Sequence, residues 1–537
     1  MTRLLRHPLA APLAAAVIVV AGLVVRLLDL NRYGFNSDEA VYSGQAAALA
    51  GHADYAHMFG VFRAHPLLVH VIVSLVYRIT GVNDVAPRLV TVAFGVGLVV
   101  VGGATAWLVR GRLVGLLTLL FIALCPYAVI VSRQMLLDGP MAFFFALCLL
   151  FLALYVRRPD RLTLFAAACA AGLAFLSKET AILMVPAILV FFLLARDVPL
   201  RRLDFLGAVG VYVATIAPFP LALWLSGGGN VAQQFLIWQI FRRPNHSPDF
   251  YFSVIPSLTV PIVVLAVIGT AMALRRRKGL DVLIVALPLA MIAFFEVWPV
   301  KGFQYLVPVV APIALLAADG LAGISRLAGR VVLRIGRPAL PPRAATAVAL
   351  ALGCTLILGT GVQSVLAGAP STLAIRASDS DDVTAATSTS PASEGGKYVS
   401  FTAGTGGLKA SRPVGQWIRE KTLPDANFLT IGPSFANVIQ FYGGRRARAL
   451  SVSPNPLHRN PTYEPVLNPD LLLRTNAVQY LVYDSYSAAR TPFFTRKLMA
   501  YVKKYHGILV YSDDQLVRGT DGHPTRVPVV RIYAVHP

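Results

Sequence analysis

Apolar runs of about twenty residues, separated by short polar breaks, recur from residue 8 to residue 368. About 20 apolar residues cross a bilayer as a helix, so the pattern predicts a polytopic α-helical membrane protein with about 11 transmembrane helices. They are expected near 8–30, 88–109, 113–131, 139–156, 162–177, 180–195, 204–225, 251–273, 280–298, 303–320 and 344–368. Pro66–Thr80 is also apolar, but at about 15 residues it is short for a span. It is read as an interfacial or re-entrant helix.

The pattern changes after residue 368. Ser, Thr, Asp, Ala and Gly dominate much of 369–412, which reads as a flexible linker. From 413 to 537 the apolar runs are short: Asn427–Ile431, Tyr480–Tyr483, Ile508–Tyr511 and Val527–Tyr533. Helical patterns lie between them at Val414–Lys421, Phe435–Tyr442, Pro469–Thr475 and Phe493–Tyr505. This alternation predicts a small α/β domain.

Of the 537 residues, 56% are hydrophobic and 14% charged. A soluble domain carries about a quarter charged residues. The deficit excludes an ordinary soluble enzyme, a disordered chain and a coiled coil. The net charge of +22 comes from 48 Lys and Arg against 26 Asp and Glu. The basic residues cluster in short loops, at 110/112, 157–161, 196–202, 275–278 and 326–343. Membrane topology explains that placement, so no nucleic-acid partner is expected. With these loops cytoplasmic, the N-terminus is cytoplasmic and the 413–537 domain is extracytoplasmic. A crossing by Pro66–Thr80 would flip every later basic loop. The four cysteines sit inside apolar runs, which gives no disulfide framework.

The candidate chemistry lies on the external side. Asn36-Ser37-Asp38-Glu39-Ala40 follows the first helix, and the Ala-rich stretch after it is helix-prone. Ser37 or Asp38 is the expected N-cap, a purely structural role for the acids. Ser132-Arg133…Leu137-Asp138 ends the third span, where Arg133 and Asp138 would form an ion pair if they are only structural. Lys178-Glu179 joins two apolar runs, and Lys301-Gly302-Phe303-Gln304-Tyr305 opens the tenth span. Snorkelling and interfacial anchoring are the plain alternatives for Lys178 and Tyr305. Acids and cations from four loops nevertheless fall on one membrane face. Carboxylates activate hydroxyls or hold divalent metals, and Lys and Arg hold phosphates.

In these features the sequence resembles the GT-C membrane glycosyltransferases, family 39 in particular: the protein O-mannosyltransferases and the aminoarabinose transferases of lipid A. The resemblance covers roughly residues 8–368. It rests on the acidic pair Asp38-Glu39, the His65-Pro66 step, Ser132-Arg133…Leu137-Asp138, the Lys178 turn, and Lys301…Gln304-Tyr305…Pro308…Pro312. Two positions depart from the family: Leu67 follows Pro66 where the mannosyltransferases usually carry a second proline, and Ala64 stands where the aminoarabinose transferases carry an acid. The resemblance implies inverting transfer of mannose or a pentose from a polyprenyl-phosphate donor. The acceptor would be a protein, lipid or cell-envelope glycan outside the cell membrane. It implies Asp38 as general base, supported by Glu39 and Asp138. Arg133, Lys178, Lys301, Gln304 and Tyr305 would face the donor phosphate. A divalent metal is one option, with Asp38, Glu39 and His65 as ligands.

Two other classes fit the pattern less well. A transporter or flippase for lipid-linked sugars would place charges at mid-membrane between related halves, and here the acids sit at span ends. A non-catalytic scaffold would tolerate loss of Asp38. In the C-terminal domain Tyr442, Tyr463, Tyr480, Tyr483 and Tyr486 are candidates for a sugar-facing surface, or else core and rim.

Overall fold

The computed structural model describes residues 9–31, 33–61, 65–195, 197–227, 229–242, 244–245, 247–334, 342–366, 410–518 and 524–536. Most of the expected linker, 369–409, lies outside the described residues. The first part of the chain is helical: α1 Ala10–Leu27, α2 Ser37–Leu49, α3 Ala53–Ala56, α4 Leu68–Thr80, α5 Val85–Arg110 and α6 Arg112–Leu124. There follow α7 Pro126–Ser132, α8 Asp138–Arg157, α9 Arg161–Ser177, α10 Met184–Leu194, α11 Arg202–Ile216 and α12 Pro218–Leu225. The last six are α13 Gly229–Phe241, α14 Ile255–Leu258, α15 Val260–Arg276, α16 Gly279–Val297, α17 Val310–Arg334 and α18 Pro342–Leu366.

Five of these segments are long and apolar enough to cross a bilayer alone: α1, α5, α8, α16 and the stretch Phe303–Ala328. The bent pairs α6–α7 and α11–α12 raise the number to seven. Of the other four expected spans, Arg161–Ser177, Glu179–Leu194 and Leu350–Gly359 are shorter apolar helices and α15 is 17 residues long, so the expected 11 is not reached by length and composition. The bends have a local cause. Pro126 and Pro218 lack the N–H that would continue the helix, and the pairs bend by 57° and 41°. At the first break Arg26, fully buried, donates to the freed carbonyls of Ile122 at 3.3 Å and Ala123 at 2.9 Å. Within a bilayer such backbone groups must find an internal partner.

Helix α4 falls among the shorter apolar helices rather than those long enough to cross a bilayer. His65, just before it, and Asp84, just after it, both lie on the face where the C-terminal domain sits: His65 lines a cavity shared with that domain, and Asp84 bonds to it. One stripe of α4 (Val69, Val73, Tyr77) is buried, and another (Val71, Leu75, Ile79) is exposed. That is the pattern of a helix lying in the interface. At the far end of α5, Arg110 pairs with Asp281 and with Asp319, at 3.0 Å to the latter. Arg276 joins the same two acids at 2.9 and 2.6 Å, so α5, α15, α16 and α17 are tied together on the opposite face.

The C-terminal domain is built on a five-stranded sheet, ordered β2-β1-β3-β5-β4. Its strands are β1 Asn427–Thr430, β2 Arg446–Ala449, β3 Tyr480–Asp484, β4 Ile508–Arg518 and β5 Pro524–Ala534. β1 pairs in parallel with β2 and β3, while β5 is antiparallel to β3 and β4. Adjacent residues point to opposite faces of a strand. Accordingly Phe428, Val482 and Ile532 pack on one face with Val414 and Ile418 of helix Ser411–Lys421. Leu429, Leu481 and Tyr533 pack on the other with Leu498 and Val502 of helix Pro492–Lys504. Tyr480 stacks on Phe428, 4.8 Å between centroids, and is a packing residue.

Asp484 ends β3 and caps helix Ser485–Arg490 by accepting from the Ser487 N–H at 2.7 Å. Its other carboxylate oxygen is buried without a partner. Burial pushes this carboxyl up to about 6, against the lowering effect of the Ser487 contact. A native pKa above the unfolded value means the folded state holds the extra proton between about pH 4 and 6. Stability from this group therefore declines as pH rises through that window. Asp484→Asn keeps the cap, and it is expected to stabilise the protein at pH 7 by up to roughly 3 kcal/mol. Thermal melts of the full-length pair in detergent check this: the gap between variant and parent should close as pH falls toward 4.5.

Candidate active site

A cavity of about 590 Å³ opens between the helical part and the C-terminal domain. Its floor is α2, which begins with a reciprocal cap. The Asn36 side chain accepts from the Glu39 N–H at 3.0 Å, and the Glu39 carboxylate accepts from the Asn36 N–H at 3.2 Å. The N-cap is thus Asn36, not Ser37 or Asp38, because only its side chain turns back onto the first turn. The cap aims the two adjacent acids differently. Asp38 faces the cavity, while Glu39 is fully buried behind it.

Glu39 is held on every side. Arg88 binds it in fork geometry at 2.7 and 2.8 Å, and the Met135 N–H donates to it at 3.0 Å. Arg88 also donates to the carbonyls of Leu30 and Tyr33, fastening the loop that carries Asp38. The pairing was invisible in sequence, where Arg88 reads as the start of a span. Its only local mark is an arginine four residues into an apolar run.

Of the other expected site residues, Lys178, Gln304, Tyr305 and His65 reach the cavity. Lys178 bonds both oxygens of Asp138, at 2.7 and 2.9 Å, and lies 4.6 Å from the centroid of the Tyr305 ring. Asp138, 1% exposed, therefore stands behind Lys178 rather than in the cavity, and its partner is not Arg133. His65 Nδ1 meets Glu179 at 2.7 Å. Burial, reinforced by Asp38, pushes the Tyr42 phenol above its ordinary value, so this hydroxyl stays protonated.

Two expected phosphate ligands do not reach the cavity. Arg133 is buried and donates to the carbonyls of Val25 and Arg26 at 3.0 and 3.1 Å. Lys301 donates to the carbonyls of Phe295 and Glu296 at 3.2 and 2.6 Å. It closes the C-terminal end of α16, where a cation is favoured by the helix dipole. The metal arrangement also fails to form. Arg88 and the α2 cap occupy Glu39, Glu179 occupies His65, and no group of three potential ligands gathers among the described residues.

Elements outside the expected list complete the cavity. Helix α13 contributes Phe235 and Trp238, and Arg242 just past its end stacks on Trp238 at 4.6 Å. The C-terminal domain forms the roof and is tied to the Asp38 loop. Tyr442 accepts from the Phe35 N–H at 2.7 Å and donates to Asp84 at 2.6 Å. Arg412 adds bonds to Asp84 at 2.6 and 3.1 Å. Burial and the neighbouring Asp84 hold the Tyr442 phenol well above its ordinary value, so it remains the donor. Phe35, fully buried, packs with Phe59 and Phe441 across this junction. Of the five tyrosines singled out in the domain, Tyr463 lines the cavity.

ArnT from Cupriavidus metallidurans in the apo state matches this architecture over 97% of both chains, with a TM-score of 0.65 and 18% identity. The chain has the GT-C glycosyltransferase fold. Other GT-C structures extend the likeness. ArnT bound to undecaprenyl phosphate matches over 97% of both chains, with a TM-score of 0.64 and 18% identity. The archaeal oligosaccharyltransferase AglB from Archaeoglobus fulgidus, in complex with an inhibitory peptide and a dolichol-phosphate, has a TM-score of 0.54 at 11% identity. That match covers 96% of this chain and 74% of AglB. Residues 64–224 of this chain match the family described as dolichyl-phosphate-mannose-protein mannosyltransferase. An uncharacterized protein of Aquifex aeolicus (strain VF5) is 24% identical over 274 residues, 48% of this chain. The match spans about half, 52%, of that relative's length.

Proposed function

We propose that this protein transfers a glycosyl group from a polyprenyl-phosphate donor to an acceptor hydroxyl, in the cavity beneath the C-terminal domain. The observation that carries the reading is Asp38. It lines the cavity and has no hydrogen-bond or ion-pair partner among the described residues, whereas the neighbouring acids are all engaged. An unengaged carboxylate is available to take a proton. In the step, a bond forms between the acceptor oxygen and the anomeric carbon, with inversion. The bond from that carbon to the phosphate oxygen breaks, and its electron pair leaves on the polyprenyl phosphate. The acceptor proton goes to Asp38.

Lys178 and Arg242 are the cavity cations assigned to the leaving phosphate, since cations stabilise charge as it develops. Asp138 positions Lys178, and Glu39 positions the loop through Arg88. Gln304 and Tyr305 complete the donor side. No step is routed through a metal, because the residues do not assemble a ligand set. The ArnT structure with undecaprenyl phosphate and the AglB structure with dolichol-phosphate support the lipid-phosphate class of donor. The sugar is proposed as mannose or a pentose, from the mannosyltransferase match and the ArnT likeness.

The test is mass-resolved transfer by the purified protein in lipid. Undecaprenyl-phosphate mannose and a pentose analogue are offered beside a cell-envelope extract. One donor is expected to yield a glycosylated product and free undecaprenyl phosphate in equal amounts. Donor turnover without a matching product would sink the transferase reading.

A further inference from the structure

Most of the cavity roof can hydrogen-bond without charge. Ser434, Ser451, Ser453, Asn460, Thr462 and Tyr463 of the C-terminal domain all line it, and among the described residues no carboxylate from that domain does. One hydroxyl of the roof and one of the floor are held in place from behind. Asn437, 2% exposed, donates through Nδ2 to Tyr463 Oη at 2.8 Å and to Ser37 Oγ at 3.1 Å. Ser37 belongs to the floor and is adjacent to Asp38. One buried amide thus joins roof and floor beside the unengaged carboxylate.

The two basic residues of the roof are partly committed to holding it. His458 Nδ1 meets the Phe241 carbonyl at 3.1 Å, fastening the roof to α13, and Arg459 donates to the Pro454 carbonyl at 3.2 Å. A phosphate-bearing acceptor calls for convergent, bidentate arginines. A peptide acceptor calls for an open strand edge or apolar side-chain pockets. The roof offers mainly hydroxyls and an amide, groups that donate and accept alike. This matches a partner made of the same groups.

We infer that the roof is an acceptor subsite for a neutral, hydroxyl-rich carbohydrate, with Asn437 as the residue that positions Tyr463 and Ser37 around the reacting hydroxyl. The inference rests on the transferase reading and names its acceptor. The sugar moves as described above, and the proton of the carbohydrate hydroxyl passes to Asp38.

The experiment uses the full-length protein in lipid with the two labelled donors and a cell-envelope extract. Product is sorted by its resistance to protease and to mild acid. Label in a saccharide that survives both treatments is expected. Label released by protease, marking a protein acceptor, or by mild acid, marking a phosphate-linked lipid, overturns the inference and leaves the transferase reading standing. No label from either donor overturns the transferase reading, and the inference falls with it.

Variants supply the second arm. Tyr463→Phe and Asn437→Leu should raise the acceptor level needed for half-maximal rate about tenfold or more, since a site built to hydrogen-bond is left unpaired. Affinity for undecaprenyl phosphate should not change, which also shows that the variants fold. A parallel loss of undecaprenyl phosphate affinity, or an unchanged acceptor requirement, overturns the assignment.

Discussion

Asp38→Asn is expected to lower glycosyl transfer by about 10²–10⁴-fold, the usual contribution of a positioned general base. The amide fills the same volume and cannot take the acceptor proton. Asp38 has no partner among the described residues and stands outside the reciprocal α2 cap, which uses Asn36 and Glu39. Folding and membrane insertion should therefore be unaffected, and the change should fall on kcat rather than on donor affinity. Single-turnover transfer with undecaprenyl phosphate binding measured in parallel separates the two. Turnover like that of the parent protein would remove Asp38 from the chemistry.

Arg88→Met should destabilise the protein by about 3–5 kcal/mol, because it strands the Glu39 carboxylate in a fully buried site. Desolvation is the reason. Removing one partner of a buried pair leaves an uncompensated charge, whereas removing both costs much less. Arg88→Met with Glu39→Gln should therefore recover a large part of the loss in a detergent thermal melt. Activity should recover less than stability does, since the Arg88 bonds to the Leu30 and Tyr33 carbonyls that hold the Asp38 loop are gone in both variants. Full recovery of activity in the double variant would mean that this anchoring has no part in placing Asp38.

These two predictions also mark what the sequence could and could not convey. Hydropathy and loop charge located the apolar segments, and short length together with the alternation of basic loops set α4 apart from the expected spans. The β-rich runs of the C-terminal domain announced four of its five strands. β2 was missed because Arg446-Ala447-Arg448-Ala449 alternates with small side chains and reads as polar. Helix α13 was missed for a related reason, since Asn, Gln and Trp interrupt its apolar residues. In the site, Asp38, His65, Lys178, Gln304 and Tyr305, singled out by residue type and position, all line the cavity. The same logic overreached for Arg133 and Lys301. A cation at the end of a membrane helix serves equally to close backbone carbonyls, and only three-dimensional placement tells that use from phosphate binding. Arg88 and Asn437 act on Asp38 through partners 49 and 400 residues away, a separation that local pattern does not encode.

The Tyr442 contact to Phe35 links residues 407 positions apart. The backbone that presents Asp38 therefore gets its last anchor from the final fifth of the chain. During synthesis the helical part is made and threaded into the bilayer before that anchor exists. A chain lacking the C-terminal domain would have its Asp38 loop without that anchor and its cavity without a roof. Loss of the C-terminal domain would therefore remove the roof of the cavity and the Phe35 anchor of the Asp38 loop in a single cut.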